Sequence, residues 1–261
     1  DLMGDGERLW FLGGNTLIDW RPDRGFGPLQ KLAFGYSSDA PVLRVAVAAN
    51  FRQAADQLCD AYFAGRDGRC VITAGASGLL YAKIVQGAPF DLFLSADSSR
   101  ASALESGGHA VPGSRFTYAV GRLVLWRPGR TAGADLGATL ADPELRTLAI
   151  ANPATAPYGV AALETLRRLG IEAKTRYRTV QGESIAQAFQ FVASGAADAG
   201  FVAASQVLEY GRSQGRSLDP EVIVVDESLH APIEQQAVLL VRASSMVPIG
   251  PHKAMTPGIQ I

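Results

Sequence analysis

Residues Ala156–Leu169 read APYGVAALETLRRL, and the apolar run Leu148-Ala149-Ile150-Ala151 leads into them through Asn152 and Pro153. Val160, Leu163, Leu166 and Leu169 recur at helical spacing. A proline near a helix start is tolerated because an N–H there would find no acceptor inside the helix. The spacing therefore predicts a buried strand ending at Asn152 and a helix over 157–169. Such a turn aims the backbone N–H groups of Tyr158 and Gly159 outward, and with the helix dipole they form a ready site for an anion.

The same construction recurs three times. In LRVAVAANFRQAADQLCDAYF a strand from Leu43 to Ala48 stops at Asn50, and Phe51, Ala54, Ala55, Leu58 and Tyr62 then share one helical face. In CVITAGASGLLYAKIV, Val71–Ala74 reads as strand, Gly75–Gly78 as a tight turn with Ser77 at its helix-facing end, and Leu79 onward as helix. In YRTVQGESIAQAFQFVASG the turn is Gln181-Gly182-Glu183, with Ser184 or Glu183 capping a helix through Ile185, Ala188 and Phe189.

The chain has 261 residues, enough for two domains, and 48% hydrophobic against 19% charged residues supplies sizeable cores. A formal net charge of -1 with Lys and Arg scattered leaves no electrostatic footprint for nucleic acid. No apolar run approaches the roughly 18 residues that span a bilayer. His109, His230 and His252 lie far apart without ligand spacing, so no direct metal ligands are expected. Cys59, late in a helix, and Cys70, early in the next strand, are separated by a turn that can bring them within bridging distance. An exported protein favours a disulfide and a cytosolic one two buried thiols; the bridge is the expectation taken forward.

Strands and helices alternate from Leu43 onward, which argues for parallel sheets with helices on their faces. The strand Asp91–Ala96 and helix Ser98–Ser106 complete a first unit, and a long strand from Phe116 to Trp126, with Gly121 inside it, leads out of it. The second unit holds LVLW, a short helix 135–142, the two junctions at Pro157 and Ser184, strands Tyr177–Val180, Ala199–Ala203 and Glu221–Asp226, and a helix 205–212. Ala237–Val241 reads as one more buried strand. The expected domains are residues 1–40 as an extension, 41–122 with 228–261 as lobe I, and 123–227 as lobe II. Two crossings join the lobes, and the four junctions converge on the cleft between them. Residues 1–40 show no sustained period and none of the basic start, apolar centre and small-residue cleavage site of a secretory signal. Residues 246–261 read as an irregular tail.

VAVAANF, AGASGLLYAKIVQGAPFDLFLSAD, PGSRFTYAVGRLVLW, ANPATAPYGVAALETL and SGAADAGFVA, in this order between Leu43 and Arg242, resemble the periplasmic molybdate-binding proteins of ABC transporters. The resemblance implies the α/β two-lobed type II periplasmic binding-protein fold, each lobe a mixed, mostly parallel sheet flanked by helices. It implies an extracytoplasmic monomer that captures molybdate or tungstate, needs no cofactor, and delivers its ligand to the membrane permease of an ABC importer. Carried onto this chain, the ligand contacts are Asn50 (backbone N–H and side chain), Ser77 (hydroxyl and N–H), Tyr158 (backbone N–H) and Ile185 (backbone N–H). Taken singly, Asn50 and Ser77 read more readily as helix caps; four junctions of one kind together with the resemblance reverse that balance. Some relatives carry a hydroxyl residue where this chain has Ala49 and others a tyrosine where it has Ala203, so this site leans more on backbone donors. Residues 1–40 and 246–261 fall outside the family pattern.

Three other readings compete. Another tetrahedral oxyanion such as sulfate fits the same junctions. An enzyme using these turns for a phosphorylated cofactor would need a GxGxxG or GxxxxGK[ST] motif and a His, Cys and acid grouping, and the sequence has neither, so no catalytic residue is expected. A ligand-sensing regulator domain would need a DNA-binding helical segment, which residues 1–40 do not resemble. Asp97 reads as the cap of the following helix.

Overall fold

The protein is described by a computed structural model covering residues 2–4, 9–13, 16–20, 42–131, 135–171 and 177–241. Three short strands, β1 (Leu2–Gly4), β2 (Leu9–Gly13) and β3 (Thr16–Trp20), form an antiparallel sheet of their own. The sequence reading of 1–40 as patternless is corrected there. Two residues, Gly14 and Asn15, separate the paired Gly13 and Thr16, and such a dipeptide between apolar runs is a hairpin signal. The 246–261 tail lies outside the described residues.

Val45, Ala46, Val47 and Ala48 are all buried, as a strand covered on both faces requires. They belong to β4 (Val42–Ala48), which pairs in parallel with β5 (Arg69–Gly75) and β6 (Leu92–Ser95). The sheet is completed by β7 (Phe116–Gly121) and the late strand β13 (Ile233–Leu239), in the order β5-β4-β6-β13-β7. A second sheet repeats the plan with β8 (Leu123–Trp126), β9 (Thr147–Ala151), β10 (Arg178–Gly182), β11 (Ala199–Ala203) and β12 (Val222–Val224), in the order β10-β9-β11-β8-β12. In each sheet one strand, β13 or β8, is antiparallel to both neighbours, so the other strands share a direction. The sheets are mixed and mostly parallel, as expected.

Helices α1 (Arg52–Phe63), α2 (Ser77–Val85) and α3 (Ser98–Ser106) accompany the first sheet. Helices α4 (Leu136–Leu140), α5 (Pro157–Arg168), α6 (Ile185–Ala193) and α7 (Ala204–Ser213) accompany the second. Cys59 of α1 and Cys70 of β5 are disulfide-bonded, with Cα atoms 5.9 Å apart. Asp97 caps α3 by accepting from the Arg100 N–H at 2.8 Å.

Three sequence expectations shift. The long strand 116–126 is two strands in two different sheets, broken at Arg122, because the chain must turn from one lobe into the other there. The expected strand over 221–226 is confined to β12, since Glu221 lies in a 3-10 turn where its carboxylate accepts from Trp126 Nε1. On α5, Val160 is 42% exposed, while Tyr158, Ala161, Ala162, Thr165 and Leu166 are buried. The small residues let the helix lie close to the sheet, and Thr165 satisfies its hydroxyl on the Ala161 carbonyl at 2.8 Å.

The two crossings run side by side. The outgoing one passes from Gly121 to Leu123, the returning one through a 3-10 turn at Glu227–Leu229 into β13, and Arg122 forms an ion pair with Glu227 between them. One buried cluster draws Ala48, Ala76 and Ala96 from the first lobe against Ala151, Ala156, Tyr158, Ile185 and Ala203 from the second. These residues lie at or just beyond the carboxyl ends of their strands, where open α/β sheets place ligands.

Candidate anion-binding site

Asn50, Ser77, Tyr158 and Ile185 are each at least nine-tenths buried, at 9%, 1%, 2% and 3% exposure. The fold brings them to one place. Asn50 Nδ2 lies 3.4 Å from the Tyr158 hydroxyl, across the cleft. Gly78, next to Ser77, donates its N–H to the Thr155 carbonyl at 2.8 Å, and Thr155 Oγ1 in turn donates to the Glu183 carbonyl at 3.2 Å, just before α6. Ser205 Oγ donates to the Asn50 carbonyl at 3.3 Å, closing a further side.

Neither Asn50 nor Ser77 caps a helix. Asn50 sits in a 3-10 turn, Ala49–Phe51, that has no side-chain cap, and Ser77 is the first residue of α2, whose cap position is Ala76. Ser77 Oγ accepts from the Ala96 N–H at 2.9 Å, which fixes the oxygen and leaves its proton to donate elsewhere. Of the four junctions, the one at α6 has a side-chain cap: Ser184 Oγ accepts from the Gln187 N–H, and Gln187 Oε1 from the Glu183 N–H. Those bonds leave the Ile185 N–H, at the first helical position, without an acceptor inside its helix.

One expected donor is lost. The Gly159 N–H turns back to the Ala156 carbonyl at 2.9 Å, so at α5 the outward donor is Tyr158 alone. Pro157, with no N–H, has nothing to leave unsatisfied.

A second layer surrounds these groups that the sequence reading did not single out. Gln235 of β13 accepts at Oε1 from Asn50 Nδ2 at 2.9 Å and from the Tyr118 hydroxyl at 3.1 Å. Tyr118 also reaches the Ser95 carbonyl at 3.2 Å. A register shift between Gln235 and Gln236 bulges β13 against β7, and the two side chains find separate partners: Gln236 Nε2 donates to Thr117 Oγ1 at 3.0 Å. The available signal was the glutamine pair in IEQQAVLL, two uncharged polar residues directly before an apolar run.

Burial pushes the Tyr158 hydroxyl well above the usual phenol range. Burial does the same to Tyr118, reinforced by neighbouring Tyr158 and Asp97. Both therefore stay neutral near pH 7. Arg100 stands beside Gly78, its charge engaged by Asp97. Among the described residues, no group of His, Cys, Asp and Glu could hold a metal ion, and no helix is long and apolar enough to cross a membrane. The polar groups that converge here are thus neutral: helix-start amides, a serine hydroxyl, and a carboxamide whose NH2 is already held by Gln235 and Tyr158.

Residues 43–247 match the family model of bacterial extracellular solute-binding proteins. The chain is 47% identical over 196 residues to the molybdate-binding protein of Rhodobacter capsulatus, covering 75% of this chain and 74% of that one. It is 43% identical over 208 residues to the molybdate-binding protein of Azotobacter vinelandii, covering 79% and 80%. Among solved structures it superposes on an Azotobacter vinelandii periplasmic molybdate-binding protein with a TM-score of 0.69 at 38% identity, over 78% of this chain and 90% of that one.

Proposed function

The chain belongs to the bacterial extracellular solute-binding proteins, and from that premise we propose that it captures molybdate outside the cytoplasmic membrane and delivers it to the permease of an ABC importer. The observation that carries this reading is the convergence of Asn50, Ser77, Tyr158 and the start of α6 as one buried group of neutral polar residues between the two sheets. The identity to molybdate-binding relatives supports it.

Molybdate is a tetrahedral dianion with acceptors only, so neutral donors satisfy it without proton exchange. Hydrogen bonds to a charged group contribute about 1.5–3 kcal/mol each and a helix terminus about 0.3–1 kcal/mol. Around six such bonds outweigh the cost of association and give binding of about -8 kcal/mol or better, micromolar or tighter. Tungstate, nearly the same size, binds alike. Sulfate is excluded by its shorter bonds, which leave donors stretched, and hydrogen phosphate by a proton that meets a donor.

The protein acts as a monomeric binding component, without cofactor or catalysis, and residues 41–122 with 228–261 and residues 123–227 are its two ligand-gripping lobes. Calorimetric titration against molybdate, tungstate, sulfate and phosphate tests the reading. The expected order is molybdate and tungstate tight, sulfate weak, phosphate undetectable. Affinity should be flat between pH 6 and 8, because the tyrosines at the site are held neutral far above that window. Sulfate binding tighter than molybdate would instead favour the sulfate alternative, and phosphate binding as tightly would defeat the donor-only site.

A further inference from the structure

Gln235 is 2% exposed and stands at the bulge of β13, where its carboxamide meets two side chains. As the hydrogen bonds run, Gln235 Oε1 accepts from both Asn50 and Tyr118, and the single Tyr118 proton is divided between Gln235 and the Ser95 carbonyl. Asn50 Nδ2 is engaged by Gln235 and by the Tyr158 hydroxyl, while Asn50 Oδ1 is buried with no partner. The free arm of Asn50 is then an acceptor. An acceptor repels an oxyanion with lone pairs only, and it offers hydrogen phosphate a place for its proton.

Half-turns of both carboxamides exchange nitrogen and oxygen at almost unchanged positions. Gln235 Nε2 then donates to Asn50 Oδ1 and to the Tyr118 oxygen, Tyr118 gives its one proton to Ser95, and the Tyr158 hydroxyl donates to Asn50 Oδ1. Asn50 Oδ1 gains two donors, Tyr118 no longer divides its proton, and the free arm of Asn50 becomes its NH2. The half-turns must occur together, because turning one alone sets oxygen against oxygen or nitrogen against nitrogen across the 2.9 Å contact.

We propose that Gln235 is a positioning residue that sets oxyanion specificity, by turning the Asn50 carboxamide so that its NH2 rather than its carbonyl faces the bound anion. The proposal rests on the cleft being a tetrahedral-oxyanion site. Gln235 does not touch the anion; it acts through Asn50, and Tyr118 anchors it from behind. The bulge between Gln235 and Gln236 is the backbone feature that aims it there.

Molybdate and phosphate titrations of the wild-type protein, Gln235→Leu, Asn50→Ala and the double variant test this. Gln235→Leu should weaken molybdate by about tenfold and narrow the preference over phosphate by about tenfold or more, since a freed Asn50 can rotate to accept the phosphate proton. With Asn50→Ala already in place, Gln235→Leu should change neither affinity nor preference. Equal losses in both backgrounds, or an unchanged preference, would overturn the proposal while leaving the molybdate reading intact. A wild-type protein that binds neither anion would remove that reading and the proposal with it. A measurement independent of variant folding follows the side-chain 15NH2 signals of Asn50 and Gln235 in the wild-type protein: molybdate should shift both pairs together. Asn50 shifting alone, or neither shifting, would contradict a coupled turn.

Discussion

Ser77 carries one hydroxyl with an accepting and a donating side. Its oxygen accepts the Ala96 N–H at 2.9 Å, which leaves its proton for the proposed anion. Ser77→Ala should weaken molybdate by about 1–3 kcal/mol, roughly 5- to 150-fold, and also lower stability by about 1–3 kcal/mol by leaving a buried N–H unpaired. Titration and thermal melting read the two losses separately; an unchanged affinity with lowered stability would remove Ser77 from the site. Asn50 and Ser77 were legible in the sequence as polar residues at strand-to-helix junctions, yet not their release from capping, which depends on where the helices begin. Gln235 was not legible as a neighbour of Asn50, because the pair is separated by 185 positions and joined only by the returning crossing.

The first backbone N–H of helix α6 has no acceptor inside its helix and is the proposed contact, while the side chain of Ile185 is core, 3% exposed. Ile185→Val should therefore leave affinity within about twofold and cost about 0.5–1.5 kcal/mol of stability. Ile185→Pro removes the donor at a position where proline suits helix geometry, so binding should fall far more than folding. Equal binding by the two variants in a titration would show that the amide is unused. Most elements could be read from the alternation of apolar strands and amphipathic helices, and α3 begins and ends where the sequence places it. The stripe on α5 misled through Val160, because alanines form the buried face there and hydrophobic size is a poor guide where a helix must pack closely. The sequence places the passage between lobes at 122/123, but not the split into two strands, because both are apolar and the turn between them is a single residue.

The start of α2 meets the segment before α5 backbone to backbone, the Gly78 N–H donating to the Thr155 carbonyl at 2.8 Å. A Cβ on Gly78 would lie 2.9 Å from the Thr155 carbonyl oxygen and 3.0 Å from Thr155 Cα, both backbone atoms of the opposing lobe. Gly78→Ala should hold the lobes apart and weaken molybdate at a cost of about 1–3 kcal/mol, with little change in the stability of either lobe. Small-angle scattering should show the variant remaining open with molybdate present; full closure at unchanged affinity would contradict the contact's role. A similar overlap at Gly121, where a Cβ would meet the Tyr158 hydroxyl at 2.3 Å, keeps the crossing strand bare beside the site. We propose that neutral donors from both lobes hold a tetrahedral oxyanion between them. The most direct test is anomalous scattering at the molybdenum edge from crystals grown with molybdate. One strong peak is expected in the cleft, within hydrogen-bonding reach of Ser77 Oγ, the Asn50 side chain and the N–H groups of Tyr158 and Ile185. A peak elsewhere, or one held by Lys, Arg or carboxylate side chains, would contradict this proposal.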